Sequence, residues 1–113
     1  MFTFNKKKKD GTITAIKPEN EKMIKQSLTS YETEVDFSSM KLGREEARLL
    51  ADVLNANQTL KTLYLTWNSI GDEGAGLLAE TLKDNQTLIK INLSANSIGH
   101  EGAGALADAL KVN

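Results

Sequence analysis

The sequence predicts an α/β solenoid. Short parallel strands form a curved sheet on a concave face, and an α-helix follows each strand on the convex face, in right-handed βα units. Three observations carry this prediction. Residues 57–84 and 85–112 match at 17 of 28 positions without a gap, and a period of that length marks a stacked array. A fainter copy occupies 29–56, where Val35 and Phe37 align with Leu63 and Leu65, and Ala47, Leu50 and Leu54 align with Ala75, Leu78 and Leu82. Within each copy an alternation of period two gives way to an i, i+3, i+4, i+7 stripe, the change from strand to helix periodicity.

Curvature follows from spacing. Neighbouring strands lie about 4.8 Å apart, whereas packed helices need about 8–10 Å. Helices on one side of a parallel sheet therefore take the outer arc. The crossover through each helix is long enough for the right-handed connection that parallel strands require.

Taken in order, the chain begins with an N-terminal block, 1–28, that lacks the repeat signature. Residues 1–11 read as an irregular basic tail around Lys6–Lys9. Thr12–Ile16 has the β-branched composition of a short strand. Lys17-Pro18 ends it, because the residue before proline avoids helical dihedrals. A helix is expected over Glu19–Tyr31, with Met23, Ile24, Leu28 and Tyr31 close to one face. This block serves as an atypical terminal cap, one side of which faces water.

The single repeat domain then spans 29–112 as three units, 29–56, 57–84 and 85–112. In the first, Glu34–Ser38 reads as a strand with Val35 and Phe37 inward, and Arg44–Leu54 as a helix with Ala47, Leu50, Ala51 and Leu54 inward. In the second, Leu60, Leu63 and Leu65 point inward, Asn68 and Ile70 follow, and a helix over about 73–83 buries Ala75, Leu78, Ala79 and Leu82. Asp72 is placed to cap that helix. The third repeats this with Leu88, Ile91, Leu93, Asn96 and Ile98, then Ala103, Leu106, Ala107 and Leu110. Gly74 and Gly102 each cost a helix about 1 kcal/mol against alanine. Their recurrence predicts a close approach of helix to sheet or of helix to helix.

Composition narrows the chemistry. With 40% apolar and 26% charged residues the chain has the make-up of a globular domain. A net charge of -1 gives no electrostatic reason to expect nucleic acid. Cysteine is absent and histidine occurs once, so thiolate metal sites, disulfides and histidine clusters are excluded. No metal or other cofactor is expected. No apolar run approaches the roughly 20 residues of a membrane span, and the N-terminus lacks a secretory pattern. A cytoplasmic protein with no membrane partner is the expectation. Asn57-Gln58-Thr59 and Asn85-Gln86-Thr87 match a glycan acceptor pattern, which matters only on a secretory route. The plainer reading is a repeated turn.

Leu60-x-x-Leu63-x-Leu65-x-x-Asn68-x-Ile70 and Leu88-x-x-Ile91-x-Leu93-x-x-Asn96-x-Ile98 resemble leucine-rich repeats. The 28-residue period, with Gly-Asp-Glu-Gly-Ala or Gly-His-Glu-Gly-Ala at the helix start, resembles the ribonuclease-inhibitor-like subtype. The resemblance is strong over 57–112, weaker over 29–56 and absent before. Glu32 and Met40 depart from the pattern, standing where the first leucine and the asparagine belong. The resemblance implies that Asn68 and Asn96 bond backbone groups in the turn after each strand. It also implies that the concave face binds another protein, as in inhibitors, innate-immune sensor regions, small-GTPase regulators and actin-capping factors.

That face is expected to present Glu34, Asp36 and Ser38, with Ser39 beside them; then Thr62, Tyr64, Thr66 and Trp67; then Lys90, Asn92, Ser94 and Ala95. Trp67 and Tyr64 suit contact anchors; Trp67 also admits a second reading, packing over its own turn. Glu45, Glu73 and Glu101 recur in first helical turns, where carboxylates meet exposed N–H groups, and do not read as an acid pair. No nucleophile with a base partner and no phosphate-cradling loop is present, so the chain is not expected to be an enzyme. The leading function is a non-catalytic protein-binding scaffold. The alternatives are a self-assembling structural module and a regulator of a small GTPase, for which only Arg44 and Arg48 offer a guanidinium. The chain stops at Asn113, where a further Asn-Gln-Thr-Leu segment would begin. Homo-oligomers through uncapped repeat ends, a fragment of a longer array, or a tolerated bare end follow as expectations.

Overall fold

The computed structural model describes residues 6–7, 13–14, 18–29 and 31–112. Three parallel strands, β3 (Glu34–Asp36), β4 (Thr62–Tyr64) and β5 (Lys90–Asn92), lie side by side in that order. Each is followed by a helix: α2 (Arg44–Ala56), α3 (Gly71–Asp84) and α4 (His100–Val112). The register advances by one repeat at every step, Val35↔Leu63 and Leu63↔Ile91. Backbone bonding extends past the strands into the turns, where Ser39 N–H donates to Thr66 O and Trp67 N–H to Ser94 O, at 2.9 and 3.1 Å.

Alternation decides which side is core. Val35, Phe37, Leu60, Leu63, Leu65 and Ile70 are buried with Leu50, Leu54 and Leu78 from the helices. Adjacent helices pack through a glycine on one and an alanine on the next. A Cβ on Gly74 would stand 3.1 Å from Ala47 Cβ and 2.7 Å from Ile70 Cγ2. One on Gly102 would stand 3.1 Å from Ala75 Cβ and 2.7 Å from Ile98 Cγ2. Of the two expected approaches it is helix to helix that the glycines serve, together with contact to the turn before each helix.

The N-terminal block differs from its expectation. Lys6–Lys7 forms a strand, β1, paired antiparallel with β2, Ile13–Thr14. The β2 strand thus pairs with β1 and not with the repeat sheet. The rest of the expected basic tail lies outside the described residues. Helix α1, Pro18–Thr29, buries Ile24 and Leu28 against the first repeat. Tyr31 falls beyond its end and is 92% exposed, so it does not extend the apolar face.

Two corrections concern the later helices. Asp72 does not cap its own helix, because α3 already starts at Gly71. Its Oδ1 instead accepts from Gly99 N–H at 2.7 Å and Gly102 N–H at 3.0 Å, the start of α4 in the next unit. The inward set expected for α4 is also wrong in part. Ala103, Ala107 and Leu110 are exposed, Leu106 is half-buried, and Ala109 is the fully buried residue. The equivalent Ala75, Ala79 and Leu82 are covered because a further unit packs on them.

Candidate functional site: the concave strand face

The residues opposite the core alternate with it on the same strands. Register brings Glu34, Thr62 and Lys90 into one row and Asp36, Tyr64 and Asn92 into the next. Strand spacing places successive members about 4.8 Å apart. Glu34, Asp36, Lys90 and Ser94 are exposed; Ser38, Thr62, Tyr64, Thr66 and Asn92 are half-buried. The sheet thus gathers all of them on one surface, with Ser39, Trp67 and Ala95 in the turns at its edge.

Several of these side chains are held in place. Asp36 Oδ1 accepts from Ser38 N–H at 2.8 Å, and Asn92 Oδ1 accepts from Ser94 N–H at 3.0 Å. These are the same local turn made by two different residues in one column. The Ser38 hydroxyl, then its backbone N–H, bond to the charged form of Asp36 and hold its carboxyl below the ordinary carboxylate range. Lys90 Nζ lies 5.4 Å from the centroid of the Tyr64 ring, within cation–π range.

Trp67 is 70% exposed, so most of its indole surface lies in solvent. Its φ is +60°, and Ser39 and Ala95 in the same column have φ of 58°. The turn therefore requires a left-handed residue at this point, a conformation that disfavours a large side chain. Immediately after it, Asn68 Oδ1 accepts from Met40 N–H and Leu42 N–H, both at 3.0 Å. Its Nδ2 donates to Phe37 O and Leu65 O at 3.0 and 2.9 Å. Asn96 repeats the pattern, accepting from Ile70 N–H and donating to Leu65 O and Leu93 O. The resemblance implied bonds in the turn; the structure adds that they reach back to the preceding unit. Ile98, with Leu88, Ile91 and Leu93, is half-buried in the last unit.

A second asparagine ladder was missed from sequence. Asn57 Oδ1 accepts from Thr59 and Leu60 N–H, and its Nδ2 donates to Leu28 O at the end of α1. Asn85 accepts from Thr87 and Leu88 N–H and donates to Leu54 O near the end of α2. The signal was present as the repeated Asn-Gln-Thr. By itself that tripeptide signals only a turn, because the helix end it serves lies about 30 residues upstream.

Arg44 Nη1 pairs with Glu73 Oε2 at 2.9 Å across two helices, both side chains largely exposed. Among the described residues no group of three or more His, Asp or Glu side chains is arranged to hold a metal ion. No helix among them is long and apolar enough to cross a membrane.

Comparison with known proteins agrees with the geometry. The Leucine Rich repeat family model matches residues 56–79 and 84–107. No curated protein matches the sequence. Among solved structures, "Leiomodin-1 Actin-Binding Site 2 (ABS2)" superposes with a TM-score of 0.73 at 27% identity, over 84% of this chain and 55% of that one. The tropomodulin C-terminal domain of Caenorhabditis elegans superposes with a TM-score of 0.69 at 22% identity, over 81% of this chain and 57% of that one. The chain thus spans just over half the length of either, and the architecture described above is a leucine-rich repeat fold.

Proposed function

We propose that this leucine-rich repeat array is a non-catalytic scaffold that holds another protein against its concave strand face. The observation that carries the reading is Trp67: a large aromatic side chain, 70% exposed, on a turn fixed by the Asn68 bonds behind it. A rigid exposed aromatic is a low-entropy anchor for a partner. Tyr64, one strand step away, extends the same surface. The 28-residue period with a full helix on the convex side supports the ribonuclease-inhibitor-like subtype. Cytoplasmic residence belongs to the same proposal.

A second reading names the partner. The leiomodin-1 structure at 27% identity is titled as an actin-binding site, and actin is therefore the first protein to try. Purified actin, as monomer and as filament, is incubated with the full chain and with a Tyr64→Ala/Trp67→Ala variant, and binding is read by sedimentation and titration calorimetry. Saturable binding lost in the variant supports both readings. Binding that the variant retains would remove the concave face as the site, and no binding at all would remove actin.

A further inference from the structure

We infer that the concave face takes a basic, apolar-bearing segment of a partner, running across the strands with a cationic side chain over β3 and an aromatic or apolar group against Trp67. This deepens the scaffold reading and rests on it.

Charge is graded across the three strands. The β3 side carries two exposed carboxylates, Glu34 and Asp36, and the β5 side carries Lys90. With two strand steps between them, the acidic and basic sides stand about 10 Å apart. A cation approaching this face meets attraction at β3 and repulsion at β5, which fixes the direction of the segment. The Lys90 ammonium already lies over the Tyr64 ring. That ring face is thereby taken as a cation site, which leaves Trp67 as the aromatic surface open to a partner.

Preorganisation makes the gradient usable. Asp36 is fixed through Oδ1 to Ser38 N–H, and a carboxylate retains further acceptor positions for an incoming guanidinium or ammonium. The Trp67 backbone is held on both sides: its own N–H donates to Ser94 O, and the next residue, Asn68, is locked into the turn. The Asp36 carboxylate and the turn that carries the indole are therefore already ordered when a partner arrives.

The structure also supplies a control. Asn92 stands in the Asp36 column and accepts the same N–H bond, from Ser94. Asp36→Asn therefore retains the Oδ1 acceptor of the turn while removing the charge, and Glu34→Gln removes the charge at an exposed site.

The test pans a displayed library of random twelve-residue peptides against the immobilised full chain. Enriched peptides are then titrated by fluorescence of Trp67, the one tryptophan in the sequence. Net-positive peptides with an aromatic or large apolar residue are expected. Their affinity should fall about tenfold or more in Glu34→Gln/Asp36→Asn and decline with salt. A Trp67→Ser variant, followed by surface plasmon resonance, should lose them. Circular dichroism should remain unchanged in both variants. Enrichment of acidic peptides, indifference to the charge-neutral variant, or no enrichment overturns the inference. If protein binding still depends on Tyr64 and Trp67 in that event, the chemistry assigned here fails while the scaffold reading stands.

Discussion

The unit over 57–84 and the unit over 85–112 share 17 of 28 residues, yet their shared positions have different environments. Leu82 is 7% exposed and Leu110, its counterpart, is 68% exposed. Leu63 and Leu65 are fully buried, whereas Ile91 and Leu93 are half-buried. Ala75 and Ala79 are buried, and Ala103 and Ala107 are exposed. The difference lies in the neighbours: the first of the two units is packed on both sides. In a stacked fold the letters choose the element and its inward face, and the next unit decides how much of that face leaves water.

The largest test of this contrast is a pair of leucine truncations. Leu63→Ala should cost about 2–5 kcal/mol through loss of burial and a residual cavity. Leu93→Ala should cost less than half as much in the same denaturant titration. Equal losses would show that the half-buried strand is as firmly held as the interior one.

The asparagines should break the pattern. Asn96 is as buried as Asn68, although its unit is open on one side, because its bonds run back to Leu65 O and Ile70 N–H. Asn68→Ala and Asn96→Ala should each cost about 1–3 kcal/mol, from backbone groups left unsatisfied. A negligible cost for Asn96→Ala would assign the ladder no role at the last junction.

Asp72→Ala removes the acceptor at the start of α4 and should cost about 0.5–2 kcal/mol. Hydrogen exchange should speed at Gly99 and Gly102 first, while α3 itself is unchanged. Faster exchange at the start of α3 instead would return Asp72 to its own helix.

The smallest effect has the opposite sign. Trp67→Asn places a residue tolerant of left-handed dihedrals at φ +60° and should leave stability unchanged or raise it by up to about 1 kcal/mol. A thermal melt reads this. A clear loss would mean that the indole packs more tightly than its exposure indicates.

The sequence made the array legible because its signals are local and repeated. Alternation at Leu63 and Leu65 and the stripe from Ala75 to Leu82 each lie within one strand or helix, so period alone places them. The concave rows followed from the same alternation. The missed features all depend on which unit sits next door. Asp72 stands at a helix start, which points to its own first turn; its actual partners are 27 and 30 residues away. Leu110 was placed inward by a stripe that is correct in kind but has no neighbour on that side. Spacing extends the apolar face of α1 to Tyr31, whereas the helix ends at Thr29. Periodicity does not register that end. The left-handed φ at Trp67 was equally hidden, since Ser39 and Ala95 in its column do not advertise one.

The arrangement of polar bonds between units has a consequence for anyone who would recombine them. Asn57 and Asn85 each close off a carbonyl in the helix before, and Asp72 serves the helix after. The three segments are therefore not interchangeable bricks. A transplanted unit keeps these bonds only where the unit before it offers an equivalent helix carbonyl and the unit after it an equivalent helix start, and Asp72 has a counterpart in neither Arg44 nor His100.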